Sequence, residues 1–82
     1  MENEFNDAVN RNLGIRIRKI RRKHGKLQQI VADMMGISRE YISSLERGKR
    51  GMSVSFLLKV ANVLDVKIED VAQGMKESNF ES

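Results

Sequence analysis

The 82 residues are expected to form one domain with a modest core, leaving no room for a separate ligand-sensing or catalytic domain. The chain carries no cysteine, which excludes a disulfide framework, a thiolate metal site and a thiol nucleophile. The net charge of +4 hides a segregation: residues 11–59 hold thirteen Lys or Arg against Asp33, Glu40 and Glu46, a local +10 between ends of −3 each, which fits a polyanionic partner.

No apolar run approaches the length of a membrane span, and the acidic start lacks a secretory pattern, so a cytoplasmic location is expected. Residues 1–12 read as an N-terminal arm or helix extension. Phe5, Val9, Leu13, Ile17 and Ile20 step by four, four, four and three, which lets a first helix start near Asn6. Gly14 opposes that early start by ~1 kcal/mol relative to Ala, so residues 1–8 are read as frayed or as an arm. Over residues 13–24, Leu13, Ile17 and Ile20 point inward, while Arg16, Arg18, Lys19, Arg22 and Lys23 mostly face solvent. Gly25 ends this helix. His24 has no second His or Cys beside it, which speaks against a metal site.

A second helix, residues 27–35, sets Val31, Ala32 and Met35 on one side. Ile30 and Met34 are an i, i+4 pair off that stripe and are expected to pack under Phe5 and Val9 rather than form an exposed patch. Gly36 follows the last periodic residue, where a left-handed backbone costs Gly little. Ser38 then caps a third helix that buries Ile42 and Leu45. Two short apolar-backed helices, a Gly turn and the small Ala32 at their crossing specify a helix-turn-helix. The other face of the third helix carries Arg39, Glu40, Ser43, Ser44 and Arg47 at i, i+1, i+4, i+5 and i+8. A polar stripe is ordinarily just a solvated face, but the turn, the cap and the basic flanks occur together here and favour a groove-reading surface.

Gly48-Lys49-Arg50-Gly51 make a basic loop, and Ser53 caps a fourth helix. Val54, Leu57, Leu58, Ala61 and Leu64 read as its core face, with Phe56, Val60 and Val63 as a second stripe. A helix apolar nearly all round is either centrally buried or half of an oligomer contact. A short fifth helix over 68–73 has Ile68 and Val71 inward, Ala72 and Met75 near its edge, and Gly74 to close it. The domain is thus placed at residues 13–74, with 75–82 as a disordered tail. The expectation is an all-α, compact five-helix fold, paired as a two-fold homodimer through Phe56, Val60, Val63, Ala72 and Met75.

Leu13-Gly14, Gln28, Val31-Ala32, Met35-Gly36-Ile37-Ser38, Ile42 and Leu45-Glu46-Arg47-Gly48-Lys49-Arg50 resemble the phage-repressor-like (Xre-type) helix-turn-helix family, whose fold is lambda-repressor-like. So do Ser53, Leu57-Leu58, Ala61, Leu64 and Asp65-Val66, and the resemblance spans about residues 13 to 72. Arg39-Glu40-Tyr41-Ile42-Ser43 further resembles the recognition helix of restriction–modification controller proteins. Leu27 and Lys67 depart from the family where a Ser or Thr cap is usual, and Ile30 departs where a polar residue is usual.

The resemblance implies an autoregulatory transcriptional regulator, a homodimer on an inverted-repeat operator in double-stranded DNA, with no cofactor, metal or small-molecule ligand. It assigns base contacts to Arg39, Glu40, Ser43 and Ser44. Gln28, Tyr41, Arg47, Lys49 and Arg50 are read as phosphate contacts, with Tyr41 as an aromatic lid over the turn standing as the equal alternative. It also implies an ion pair between Arg21 and Glu46. The rival reading is a protein-interaction module, an antitoxin or anti-repressor acting through helices four and five. Catalysis is not expected: no base sits near Ser43 or Ser44 in sequence, and adjacent Glu69 and Asp70 point to different sides of a helix.

Overall fold

A computed structural model describes residues 6–73 as five helices in the order α1 (Asp7–Lys23), α2 (Gln28–Met35), α3 (Arg39–Glu46), α4 (Val54–Val63) and α5 (Ile68–Ala72). The first helix takes its early start, ahead of the arm boundary expected from Gly14. Asn6 Oδ1 accepts from Val9 N at 2.8 Å and caps a helix that runs without a break through Gly14. Gly14 has a packing reason to be there. A Cβ at this position would strike the Leu45 carbonyl oxygen and lie 2.7 Å from that of Glu46. The missing side chain is what lets the backbones of α1 and α3 touch.

The turn between α2 and α3 is built as the sequence indicates. Gly36 adopts φ 71° and ψ 31°, and Ile37 N returns to Ala32 O at 3.0 Å, satisfying a carbonyl the helix end would leave open. Ser38 Oγ accepts from Tyr41 N at 3.1 Å and starts α3. Ser53 does the same for Phe56 N at the start of α4. Leu27 and Lys67 offer no side-chain cap to α2 and α5.

One apolar cluster joins all five helices: Leu13, Ile17 and Ile20, Val31, Ala32 and Met35, Ile42 and Leu45, Leu57, Val60, Ala61 and Leu64, and Val71. Met52 completes it from the loop before α4, a core residue that periodicity could not find because the loop has none.

Helix α4 departs from expectation in which face it buries. Val60, placed in the oligomer stripe, is 1% exposed and belongs to the core, whereas Leu58, placed in the core, is 52% exposed, and Val54 is exposed with it. Phe56 and Val63 are half-buried against the same core, so the apolar surface left for a partner is smaller than the sequence implied. Ile30 and Met34 are also exposed, at 45% and 55%. Val9 packs on the core. Phe5, Gly74 and Met75 lie outside the described residues.

Candidate nucleic-acid interface

The two faces of α3 divide as the sequence pattern required. Ile42 and Leu45 are buried, while Arg39, Glu40 and Arg47 are exposed and Ser43 and Ser44 are half-buried along the opposite side. Arg39 Nη2 stands 4.0 Å from Glu40 Oε2, and with both side chains exposed that pair leaves each group available to a partner. Arg47 Nε donates to Ser43 O at 3.3 Å, folding a cation over the C-terminal end of α3, where the helix dipole favours it.

Under this face lies a buried ionic network. Arg21 Nε donates to Glu46 Oε2 at 2.6 Å and Arg21 Nη2 to Glu46 Oε1 at 3.1 Å, a two-pronged pair with side chains 8% and 2% exposed. The third guanidinium nitrogen, Nη1, donates to Lys26 O at 2.7 Å. Gln28 Nε2 also donates to Glu46 Oε1, at 3.0 Å, and Gln28 Oε1 accepts from Arg39 Nη1 at 3.3 Å. A chain of polar contacts therefore runs from α1 through the end of α3 and the start of α2 to the first residue of the exposed stripe. Sequence reasoning treated Gln28 as a phosphate contact alone. Its bridging amide had no signal, because apolar periodicity does not report which polar side chains at the start of α2 and the two ends of α3 come together.

Beside Gln28, a concavity of about 700 Å³ is lined by Arg18, Arg21, Arg22, Gly25, Lys26, Leu27, Gln28, Gln29 and Arg39. Arg18 and Arg22 were read as part of a solvated face, and Lys26 was given no role. The structure gathers them around the uncapped start of α2, whose free N–H groups add to the positive field. Arg16 serves differently: its Nε donates to Asp70 O at 2.7 Å and its Nη2 to Gln73 Oε1 at 2.9 Å, tying α1 to α5.

On the far side of α3, Gly48 has φ 72° and a Cβ there would lie 2.7 Å from Arg11 Cα, so the loop begins pressed against α1. Lys49 is exposed beyond it. Arg50 Cζ lies 4.5 Å from the centre of the Tyr41 ring, and that ring meets Phe56 at 6.0 Å with a 47° tilt. Tyr41 is thus a lid over the junction of α3 and α4, with Phe56 beneath it and not on an outer face. Among the described residues no group of three or more His, Cys, Asp or Glu could hold a metal ion. None of the described helices is long and apolar enough to cross a membrane.

A helix-turn-helix family model, HTH_3, matches residues 17–71, from the second core position of α1 to the buried Val71 of α5. The chain belongs to this Xre-type family of DNA-binding transcriptional regulators. It is 41% identical over 56 residues to an uncharacterized HTH-type transcriptional regulator of Archaeoglobus fulgidus, covering 68% of this chain and 80% of that one. It is 31% identical over 70 residues to the HTH-type transcriptional regulator SinR of Bacillus subtilis, covering 84% of this chain and 63% of SinR. Among solved structures, the clp gene regulator ClgR of C. glutamicum superposes with a TM-score of 0.83 at 27% identity, over 90% of this chain and 96% of that one. The restriction–modification controller protein C.AhdI of Aeromonas hydrophila gives 0.70 at 33% identity, over 74% and 92%.

Proposed function

We propose that this regulator reads an inverted-repeat operator as a homodimer and controls its own synthesis, in the manner of a small stand-alone controller. The observation that carries the reading is the position of the exposed α3 stripe between two basic features, the concavity at the start of α2 and the loop after α3. A helix carrying Arg39, Glu40, Ser43 and Ser44 outward suits the major groove, with Arg39 forking onto guanine O6 and N7 and Glu40 accepting from cytosine N4. Gln28, Tyr41, Arg47, Lys49 and Arg50 flank that stripe, where the phosphate strands on either side of the groove would pass. Pairing would use α5 and the end of α4, where Val63 and Ala72 remain half-exposed, and would set two α3 helices about one helical turn of DNA apart. A chain of this kind responds to its own concentration, which suits autoregulation inside the cytoplasm.

The test is selection from random-sequence DNA, followed by footprinting and sedimentation of the complex. Two protected half-sites related by a two-fold axis are expected, with two copies bound. A monomer on a single unrepeated site would overturn the homodimer.

The exposed Val54 and Leu58 on α4 keep one alternative in play, a module that binds another protein through α4 and α5. A salt titration separates the two readings. Binding through several phosphates weakens steeply with salt, and an apolar protein contact does not.

A further inference from the structure

By sequence Arg50 was read as a phosphate contact and Tyr41 as either a phosphate contact or an aromatic lid, but the structure puts the two side chains together. The Arg50 guanidinium lies over the Tyr41 ring at 4.5 Å from its centre, well inside the range at which a cation is held by a ring face. The ring is itself held. Tyr41 sits in the capped first turn of α3, and its ring leans on Phe56, whose own backbone N–H donates to Ser53 Oγ at 3.1 Å. The order is therefore α4, α3, loop, each layer fixed by the one beneath. Gly48 presses the start of the same loop against Arg11.

We propose that Tyr41 acts on DNA binding through its ring and not its hydroxyl, as a positioning residue that holds Arg50 ready for a phosphate. The proposal rests on the phosphate role given to Arg50 above. A guanidinium carries its N–H donors in its own plane, so a ring against its face occupies none of them. Among the described residues no carboxylate or carbonyl takes those donors either. An arginine free on an exposed loop would surrender its rotamer freedom on meeting DNA, and one already stacked has less to lose.

The full chain is titrated with a short random-sequence duplex by fluorescence anisotropy over a series of KCl concentrations. Tyr41→Phe keeps the ring and is expected to match the parent within about twofold, with the same salt slope. Tyr41→Leu removes the ring and is expected to bind about two- to fivefold more weakly, the worth of an exposed cation–ring contact. The double variant Tyr41→Leu with Arg50→Ala should bind no more weakly than Arg50→Ala alone. Equal losses in Tyr41→Phe and Tyr41→Leu would give the work to the hydroxyl and overturn the proposal, as would additive losses in the double variant.

A second readout needs no DNA and stands even where Tyr41→Leu fails to fold. The Arg50 side-chain methylene protons should be shifted upfield by the ring in the NMR spectrum of the free protein, and remain so in Tyr41→Phe. Unshifted methylenes in the parent would overturn the stack. Shifted methylenes with an unchanged salt slope in Arg50→Ala would instead overturn the phosphate role of Arg50, and with it the part of the proposal that concerns DNA.

Discussion

Replacing Glu46 by alanine removes the acceptor of three donors at once: two nitrogens of Arg21, at 2.6 and 3.1 Å, and the Gln28 amide at 3.0 Å. The size of the effect turns on burial. An exposed ion pair is worth ~0–1 kcal/mol, because water takes the place of either partner. Here the side chains are 8% and 2% exposed, so no water replaces the carboxylate and Arg21 keeps only the Lys26 carbonyl at 2.7 Å. Breaking a buried pair from one side costs ~3–5 kcal/mol. A domain of this size has on the order of 4–12 kcal/mol in total, so Glu46→Ala should take away a large share of it. The melting temperature should fall by roughly 12–40 °C. Arg21→Met combined with Glu46→Leu should recover much of the loss, because neither charge is then left without its counterpart. Urea unfolding of the parent, Arg21→Met, Glu46→Leu and the double variant closes a cycle that isolates the pair. A single-variant cost below about 1 kcal/mol with coupling near zero would place the pair in the exposed regime and refute the reasoning.

Gly14→Ala should destabilise the domain by ~1–3 kcal/mol although alanine is the better helix former, since its Cβ meets α3 backbone and not a flexible side chain; a thermal melt that rises instead would contradict the close approach. The neighbours Leu57 and Leu58 should answer in opposite ways: Leu57→Ala should cost ~2–5 kcal/mol, while Leu58→Ala should leave unfolding of the monomer within about 0.5 kcal/mol. Arg39→Ala should relax base preference at one position of each half-site, at ~1–3 kcal/mol per contact, measured by competition among single-base operator variants. A loss of affinity equal across all variants would move Arg39 from the bases to the phosphates.

The helices and the turn were legible because their signals are local. Ser38 and Ser53 stand where a cap is needed, Gly36 stands where the backbone turns left-handed, and Leu13, Ile17 and Ile20 mark one face of α1 by spacing alone. The orientation of α4 was not legible. With Val54, Phe56, Leu57, Leu58, Val60 and Val63 around it, apolar periodicity has no unique phase, and only packing against α2 and α5 decides that Val60 goes in and Leu58 out. The outward stripe of α3 could be read from spacing, and the Arg21–Glu46 pair behind it from the family resemblance, but not the Gln28 amide that extends it. Gln28 at the start of α2 is joined to Arg39 and Glu46 at the two ends of α3, and no pattern in the chain signals an amide that bridges them.

The same limit hides a second stripe of α1 that positions the site. Arg11, Gly14, Arg18 and Arg21 recur at i, i+3, i+7 and i+10, the spacing of one helix face, yet of the three arginines only Arg21 was expected to reach α3, and that from the family resemblance. In the folded chain they lie along the end of α3. Arg11 meets Gly48 just beyond it, Gly14 touches the carbonyls of Leu45 and Glu46, and Arg21 grips the Glu46 side chain. Arg18, between them, lines the basic concavity with Arg39. The apolar stripe of Leu13, Ile17 and Ile20 therefore holds the domain together, while the polar stripe next to it sets where α3 stands. The backbone contact at Gly14 and the two-pronged ion pair at Arg21, two turns apart on α1, both fix the C-terminal end of α3. If the exposed α3 stripe reads DNA as proposed, it is carried on a framework already in place, and less freedom is lost on binding. Substitutions along this stripe should for that reason change recognition as well as stability, although Gly14 and Arg21 lie on the inner side of α3, away from the groove.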